Sequence, residues 1–231
     1  MKHTGNLVIN ALNAAEYSGL VEVTGDLRVY GKASLPVLAT VGGYLWVYGE
    51  ASLTAPVLAT VGGDLVAYGK ASLPVLATVG GDLRVYSEAS LTAPVLARVG
   101  GDLVESGKAS LPVLATVGGY LRVYGKASLP VLATVGGDLR VYSEASLTAP
   151  VLATVGGEDV SGGKCKIFRV GKWSAFATPT KLSIGCQGRT WEKWLEMSDD
   201  EIDGLDGDAL AEAQAHREML VNLMIELRGA K

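Results

Sequence analysis

The chain has 231 residues and a net charge of −4, and 48% of its residues are hydrophobic. So hydrophobic a composition excludes a disordered chain, and 30 glycines without a period of three, with only 8 prolines, exclude collagen. The negative charge gives no basic surface for direct nucleic-acid binding.

The N-terminal segment MKHTGNLVIN lacks the apolar region of a signal peptide, and no apolar stretch long enough to span a membrane follows it. The 2 cysteines are too few for a disulfide framework. These features predict a reducing compartment and no membrane partner.

Residues 5–157 are tandem repeats. The string YGKASLPVLATVGG occurs unchanged at residues 30–43, 68–81 and 124–137, and successive repeats are 18 or 20 residues long. The degenerate segment GNLVIN begins the first of about eight coils. One coil cannot bury its own apolar face, so the coils must stack, which predicts a mainly β protein built as a β-solenoid.

Within one coil, GDLRVYG alternates apolar and polar residues. The alternation predicts that Leu27 and Val29 face the core while Asp26, Arg28 and Tyr30 face outward. The rest of the coil supplies further core positions and a corner proline, namely Leu35, Leu38, Val41 and Pro36.

Two coil types alternate along the chain. Short coils read GKASLPVLA, whereas long coils carry a glutamate and an inserted Thr-Ala pair in EASLTAPVLA. An insertion of two residues preserves the side-chain alternation, so we expect it at a corner. Stacking then predicts one exposed, register-keeping column of alternating charge: Lys32, Glu50, Lys70, Glu88, Lys108, Lys126 and Glu144.

The outward positions of GDLRVYG form columns rich in tyrosine, arginine and tryptophan. This composition is typical of protein interfaces, while stacked tyrosines also stabilise sheets through cross-strand packing. We call this surface the aromatic–arginine face and predict that it binds a protein partner. Its candidate residues are Arg28, Tyr30, Tyr44, Trp46, Tyr48, Tyr68, Arg84, Tyr86, Tyr120, Arg122, Tyr124, Arg140 and Tyr142.

A further predicted column is Thr40, Thr60, Thr78, Arg98, Thr116, Thr134 and Thr154. Regular threonine rows on flat solenoids resemble those of ice-binding proteins, which makes a structural or ice-facing solenoid an alternative function. Arg98 interrupts the row, and its threonines occur once per coil.

The spacing L-x-x-V-G-G-D-L-x-V, followed by S-L, resembles leucine-rich repeats and, more closely, the ligand-binding L domains of growth-factor receptors. Lys32, Glu50 and their equivalents occupy the position of the leucine-rich-repeat asparagine ladder. A compact solenoid with strands on two or three sides is therefore expected instead of a helix-containing horseshoe, and the resemblance implies a right-handed one.

The composition changes after Gly163, where the repeats stop and aromatic residues become frequent. We predict a solenoid domain over 1–160 and a small α+β cap over 161–231. The cap is expected to contain strands in CKIFRV, WSAFA and KLSIGC, a helix from about Thr190, a capping box at 198–201 and a last helix over 208–228.

The motifs IGC, TWEKW, SDDEI and DAL resemble a C-terminal unit that follows repeat solenoids in phage and prophage proteins. The resemblance implies a phage accessory protein in the bacterial cytoplasm. Such a protein would bind and inhibit a host defence protein, for example a nucleic-acid-binding CRISPR component.

Residues 192–212 hold nine acids and one base. A calcium loop is rejected, because Leu210 stands where the EF-hand needs its final glutamate. The alternative is a DNA mimic that occupies a basic groove of the partner. Its candidate residues are Asp199, Asp200, Glu201, Asp203, Asp206 and Asp208.

Catalytic and metal-binding patterns are missing from the sequence. Cys165 and Cys186 lack CxxC spacing and are expected to be buried reduced thiols, and His3 and His216 are the only histidines. No phosphate-binding loop motif occurs. We therefore expect a binding protein that is not an enzyme, without cofactor or metal; the sequence leaves its oligomeric state open.

Overall fold

The computed structural model describes residues 1–142, 145–160, 165–170, 173–184, 187–196 and 217–229. As predicted, the repeats form a β-solenoid of about eight coils, and its strands lie on three sides. Sheet A contains Lys2–His3, Glu22–Val23, Thr40–Val41, Thr60–Val61, Thr78–Val79, Arg98–Val99, Thr116–Val117, Thr134–Val135, Thr154–Val155 and Glu158–Asp159.

The other two sides carry shorter sheets. Sheet B contains Leu7–Ile9, Leu27–Val29, Leu45–Val47, Leu65–Ala67, Leu83–Val85, Leu103–Glu105, Leu121–Val123 and Leu139–Val141. Sheet C contains Lys32–Ser34, Ser52–Thr54, Lys70–Ser72, Ser90–Thr92 and Lys108–Ser110, and sheet D contains Lys126–Ser128 and Ser146–Thr148.

The core is one continuous cluster along the solenoid axis. Leu27 and Val29 are fully buried, as the alternation predicts, and so are Leu35, Leu38 and Val41. Equivalent residues of successive coils pair in parallel, so each core position becomes a column of like side chains. Burial of these columns is the main stabilising contribution, because each coil supplies the apolar surface that its neighbours cover.

The prediction of a Lys/Glu column is wrong. Parallel pairing places Lys32 beside Ser52, and Ser52 beside Lys70, so the column alternates lysine with serine. The two extra residues of a long coil lie in the corner between sheets B and C, where Ala51 N donates to Tyr48 O at 2.8 Å. The Thr-Ala pair that distinguishes long coils from short ones in the sequence therefore belongs to a sheet C strand and the turn after it, and Glu50 belongs to the corner.

This register alternates small and large core residues on sheet C. Ala71 lies between Leu53 and Leu91. At the next inward-facing position, two residues further along the chain and just past each strand, the order is reversed: Leu73 follows Ala71, and Ala55 follows Leu53. A large residue therefore fills the space beside a small one in both columns.

The alternation fails once, where two short coils follow one another. Ala109 would face Ala127 there, and Leu111 would face Leu129, so one column is underfilled and the other crowded. Sheet C ends at Lys108–Ser110, and sheet D begins at Lys126–Ser128. Sheets A and B continue across this break.

The Gly-Gly steps are required by close contact between coils. A Cβ at Gly80 would lie 2.1 Å from the Gly62 carbonyl oxygen of the preceding coil. The last step differs, because Gly156 and Gly157 have positive φ angles of 57° and 82°. They form the turn between the final strand of the solenoid and its antiparallel neighbour, Glu158–Asp159.

Both ends of the solenoid are covered. At the N-terminal end, a 3-10 helix, Ala14–Tyr17, takes the place of a sheet C strand beside Lys32–Ser34. At the other end, Phe176 of the C-terminal unit belongs to the solenoid core cluster and is 4% exposed. These contacts shield the apolar core at both ends.

The C-terminal unit contains an antiparallel sheet E, with the three predicted strands and a fourth that the sequence analysis missed, at Gln187–Thr190. The first three are Lys166–Val170, Trp173–Ala177 and Lys181–Ile184. The described part of the unit also contains helices α1, Trp191–Glu196, and α2, Arg217–Gly229. The predicted capping box and the first part of the last helix lie outside the described residues.

The C-terminal unit has a core of its own. Trp191 is fully buried and donates through Nε1 to the Thr178 carbonyl at 2.8 Å, and Trp194 donates to the Leu182 carbonyl at 2.7 Å. Leu220, Leu223 and Leu227 of α2 pack into the same cluster. Each indole N–H is thus satisfied inside an apolar core.

Candidate functional site

The aromatic–arginine face is the outer surface of sheet B together with the residues at the ends of its strands. Parallel pairing aligns Arg28 with Trp46, and Arg122 with Arg140, in one column. A tyrosine column follows at one end of the strands and an aspartate column precedes at the other. The structure places all thirteen predicted residues on this face, and their role in binding stays a prediction.

The aspartate column is a hydrogen-bonded ladder. Asp26, Asp64, Asp82 and Asp102 each use Oδ1 to accept the backbone N–H of the equivalent residue in the next coil. The bonds run to Asp26 from Tyr44 (3.0 Å), to Asp64 from Asp82 (2.9 Å), to Asp82 from Asp102 (2.7 Å) and to Asp102 from Tyr120 (2.8 Å). Asn6 opens the ladder in the first coil by accepting the N–H of Asp26 at 2.9 Å. The hydrogen-bonded side-chain ladder between coils therefore lies at the aspartates.

The second oxygen of each aspartate pairs with an arginine. The pairs are Arg28–Asp26 (3.3 Å), Arg84–Asp64 (3.4 Å), Arg84–Asp82 (2.5 Å), Arg122–Asp102 (2.9 Å) and Arg140–Asp138 (3.2 Å). Arg28 also lies 4.5 Å above the Trp46 ring, and Arg122 lies 4.9 Å above the Tyr120 ring. Partly exposed pairs of this kind stabilise little, but they fix where each guanidinium points.

The tyrosines form a ladder of stacked rings. Ring centroids are 4.4 Å apart for Tyr30–Tyr48, 6.2 Å for Tyr48–Tyr68, 4.3 Å for Tyr68–Tyr86 and 4.2 Å for Tyr124–Tyr142. Burial and the neighbouring Tyr30 raise the pKa of Tyr48, and a hydrogen bond to Tyr86 together with burial raises that of Tyr68. Tyr48 and Tyr68 are therefore neutral at physiological pH.

Much of this aromatic surface faces solvent. The most exposed rings are 40 to 52% accessible, namely Tyr30, Tyr44, Tyr68, Tyr120 and Tyr124. Where tyrosine replaces aspartate, its ring covers the glycine of the next coil: a Cβ at Gly63 would lie 2.6 Å from Tyr44. Large apolar rings with polar tips are thus presented to solvent along sheet B.

One coil, residues 101–118, departs from the pattern at two adjacent positions. Ser106 replaces a tyrosine, and its Oγ donates to the Val85 carbonyl at 3.2 Å. Glu105 replaces an inward-facing valine or alanine and is only 3% exposed. Glu105 is not among the residues predicted from the sequence, although the alternation that places Val29 in the core also places Glu105 there.

The Glu105 carboxylate lies at the break between sheets C and D. It accepts a hydrogen bond from the Ala109 backbone, and burial raises its pKa from 4.5 to about 7. With Lys108 and Lys126 it lines an open cavity of about 440 Å³. The carboxyl group therefore changes charge near neutral pH.

The threonine column exists as predicted on sheet A, with Arg98 between Thr78 and Thr116. An ice-facing role for it stays a prediction. The acidic residues proposed for DNA mimicry, 199–208, lie outside the described residues, as does Cys186. Of the described acids nearby, Glu192 pairs with Arg228 at 2.5 Å, and this hydrogen bond lowers the pKa of Glu192.

The described part of the chain holds no group of three or more His, Cys, Asp or Glu placed to bind a metal ion. Within the same residues, no helix has the length and apolar character needed to cross a membrane. Cys165 is half-buried against the solenoid core, and burial raises the pKa of its thiol.

No protein-family model, curated protein or solved structure matches the chain.

Proposed function

We propose that the protein is a non-catalytic binding protein that holds a protein partner on the aromatic–arginine face. The observation that carries the proposal is the row of exposed, stacked tyrosine rings beside arginines that aspartates already hold in place. Tyrosine, tryptophan and arginine supply most of the binding energy in protein interfaces. A surface whose rotamers are fixed before binding loses little entropy when the partner docks.

The overall architecture agrees with this role. Solenoids present extended, rigid surfaces and typically serve binding or structural functions. The nature of the partner rests on the sequence resemblances alone: a host defence protein of the bacterial cytoplasm, such as a CRISPR component, remains part of the proposal.

The chain itself supplies the variant that tests the face. Serine already occupies the tyrosine column at Ser106, so the double substitution Tyr68→Ser and Tyr124→Ser leaves the backbone pattern intact. The matched control is Val75→Ser with Val113→Ser, which removes two valines that are 42% and 41% exposed on another side of the solenoid.

A partner captured from bacterial lysate and identified by mass spectrometry is then titrated against each purified variant by calorimetry. We expect the tyrosine variant to bind at least about 30-fold more weakly and the valine variant to bind like the parent. Equal affinities for the parent and the tyrosine variant would reject the face as the binding site.

The acidic segment is the alternative binding element. The triple substitution Asp199→Asn, Asp200→Asn and Asp203→Asn, measured with the same partner, separates the two. Binding would be assigned to this segment if the triple variant associated more slowly than the parent and if association of the parent were strongly salt-sensitive. Exposed charges act mainly on the rate of association.

A further inference from the structure

Between residues 26 and 142, one coil of the aromatic–arginine face carries small side chains in both the arginine and the tyrosine column. In coil 101–118, Val104 stands in the arginine column and Ser106 in the tyrosine column. All the remaining coils in this range carry a tyrosine in the tyrosine column. Val66 also replaces an arginine, but Tyr68 is still present in that coil. We call the space over Val104 and Ser106 the slot.

Four large side chains wall the slot, two from each neighbouring coil. Arg84 and Tyr86 stand on one side, and Arg122 and Tyr124 on the other. Neighbouring strands of a sheet are about 4.8 Å apart, so the two tyrosines are attached about 9.6 Å apart. A single ring midway would lie about 4.8 Å from each, which is close to the 4.2 to 4.4 Å of the tightly stacked pairs.

The walls are held in position from behind. Tyr86 stacks on Tyr68 at 4.3 Å, and Tyr124 stacks on Tyr142 at 4.2 Å. Arg84 bridges two aspartates and Arg122 pairs with a third, so neither guanidinium brings an unbalanced charge to the slot. The Ser106 hydroxyl at the base of the slot already donates its hydrogen bond to a backbone carbonyl.

We infer that the slot binds one aromatic side chain, a tryptophan or tyrosine of the protein partner, sandwiched between Tyr86 and Tyr124. Two opposed ring faces favour a flat π system over an aliphatic side chain. The neutralised arginines and the acidic chain favour an uncharged ring from a protein over a base that carries phosphates. This inference rests on the proposed function and assigns its anchor point.

The decisive variant is Ser106→Tyr, which fills the slot with the residue that the same column carries elsewhere. Because it completes the ladder, we expect it to fold and to unfold at the same temperature as the parent or a higher one. Ser106→Ala is the matched control, since it changes the same residue and keeps the slot open.

The probe is N-acetyl-tryptophanamide, added at millimolar concentration to the full-length protein and followed by NMR. We expect shift changes confined to the amides and rings of residues 84–86, 104–106 and 122–124, and we expect N-acetyl-leucinamide to produce none. Ser106→Tyr should weaken the tryptophan probe about tenfold, and Ser106→Ala should leave it unchanged. Shift changes elsewhere, or an unchanged response in Ser106→Tyr, would overturn the inference.

The partner provides the second readout. If Ser106→Tyr weakens partner binding about tenfold, the slot is the anchor point. If the Tyr68/Tyr124 double variant loses the partner but Ser106→Tyr does not, the slot is rejected and the proposed function stands. If neither variant affects the partner, both are rejected.

Discussion

Glu105 occupies a position at which the equivalent coils bury an aliphatic side chain, such as Val85 and Val123 on either side of it. A buried carboxylate is costly in an apolar core, and its one backbone hydrogen bond offsets only part of that cost. The residue lines the open cavity at the break between sheets C and D, together with Ala109 and Lys126. Sequence rules are commonly broken at functional positions, and Ser106 beside Glu105 belongs to the proposed slot.

The raised pKa of Glu105 makes stability depend on pH. The folded protein holds this proton to about pH 7, whereas the unfolded chain releases it near 4.5. The stabilising contribution is therefore complete below about pH 4.5 and is lost as the pH rises through 7. Relative to Glu105→Gln, which cannot ionise, we expect the parent to lose about 3 kcal/mol of stability between pH 4 and 8.

Denaturant unfolding across this pH range measures that difference. Glu88→Gln, the same substitution at an exposed corner glutamate, is the control and should follow the parent. Parallel pH profiles for the parent and Glu105→Gln would show that the carboxyl group titrates normally. Glu105→Val, which restores the side chain of the neighbouring coils, should be more stable than the parent at pH 8.

At the scale of the elements, the repeat pattern predicts the solenoid, the inward columns and the outward columns of sheet B. The alternation within GDLRVYG suffices for these, because side chains of a strand must alternate. The predicted register of sheet C is wrong. Aligning the repeats by residue identity pairs Lys32 with Glu50, whereas the structure pairs Lys32 with Ser52. Packing decides between the two: the observed register places Ala33 beside Leu53, so large and small residues alternate.

The same distinction explains why only part of the candidate face could be foreseen. The residues that belong to the face follow from the period of the sequence. The aspartate ladder and the pairing of Arg84 with aspartates of two coils depend on side-chain geometry. The burial of Glu105 follows from its column, because the strand alternation places this position in the core. The break after Lys108–Ser110 follows from the succession of two short coils, once the register is known.

Exchanging large and small residues within one coil tests this packing. The double substitution Ala71→Leu and Leu73→Ala keeps the total volume but places three leucines side by side, because Ala71 lies between Leu53 and Leu91. We expect a loss of about 2 to 4 kcal/mol in the free energy of unfolding, since one column is overpacked and the other underfilled.

The matched control is Ala109→Leu with Leu111→Ala, at the break. This exchange creates a mismatch with Leu91 and removes the one with Ala127, so we expect a change of less than about 1 kcal/mol. Thermal and urea unfolding compare the two exchanges. Equal losses for both would show that the alternation of sizes does not determine the stacking.

At the scale of the whole molecule, each coil is stabilised by its two neighbours. The end coils have only one neighbouring coil each, so the stability of the solenoid depends on how its ends are covered. The last solenoid strand is paired by Glu158–Asp159, and Phe176 extends the apolar core beyond the final coil. The core of the C-terminal unit around Trp191 is a separate cluster. Among the described residues of the unit, Phe176 and the half-buried Cys165 thus pack against the solenoid core, while the unit's separate core supports its own fold.

Two substitutions separate a cap from an independent domain. Phe176→Ala removes a buried ring from the solenoid core, so we expect a loss of about 3 kcal/mol there, with faster amide exchange in the last coil, residues 139–155. Trp191→Ala removes a ring from the separate core and should first affect sheet E and α1. Hydrogen exchange measured by mass spectrometry, with calorimetry, resolves the two regions.

Truncation after Gly163 removes both Phe176 and Trp191, and an uncovered apolar end should cause aggregation or a lower Tm. A truncated protein that stays monomeric and melts at the parent temperature would mean that the solenoid needs no cap.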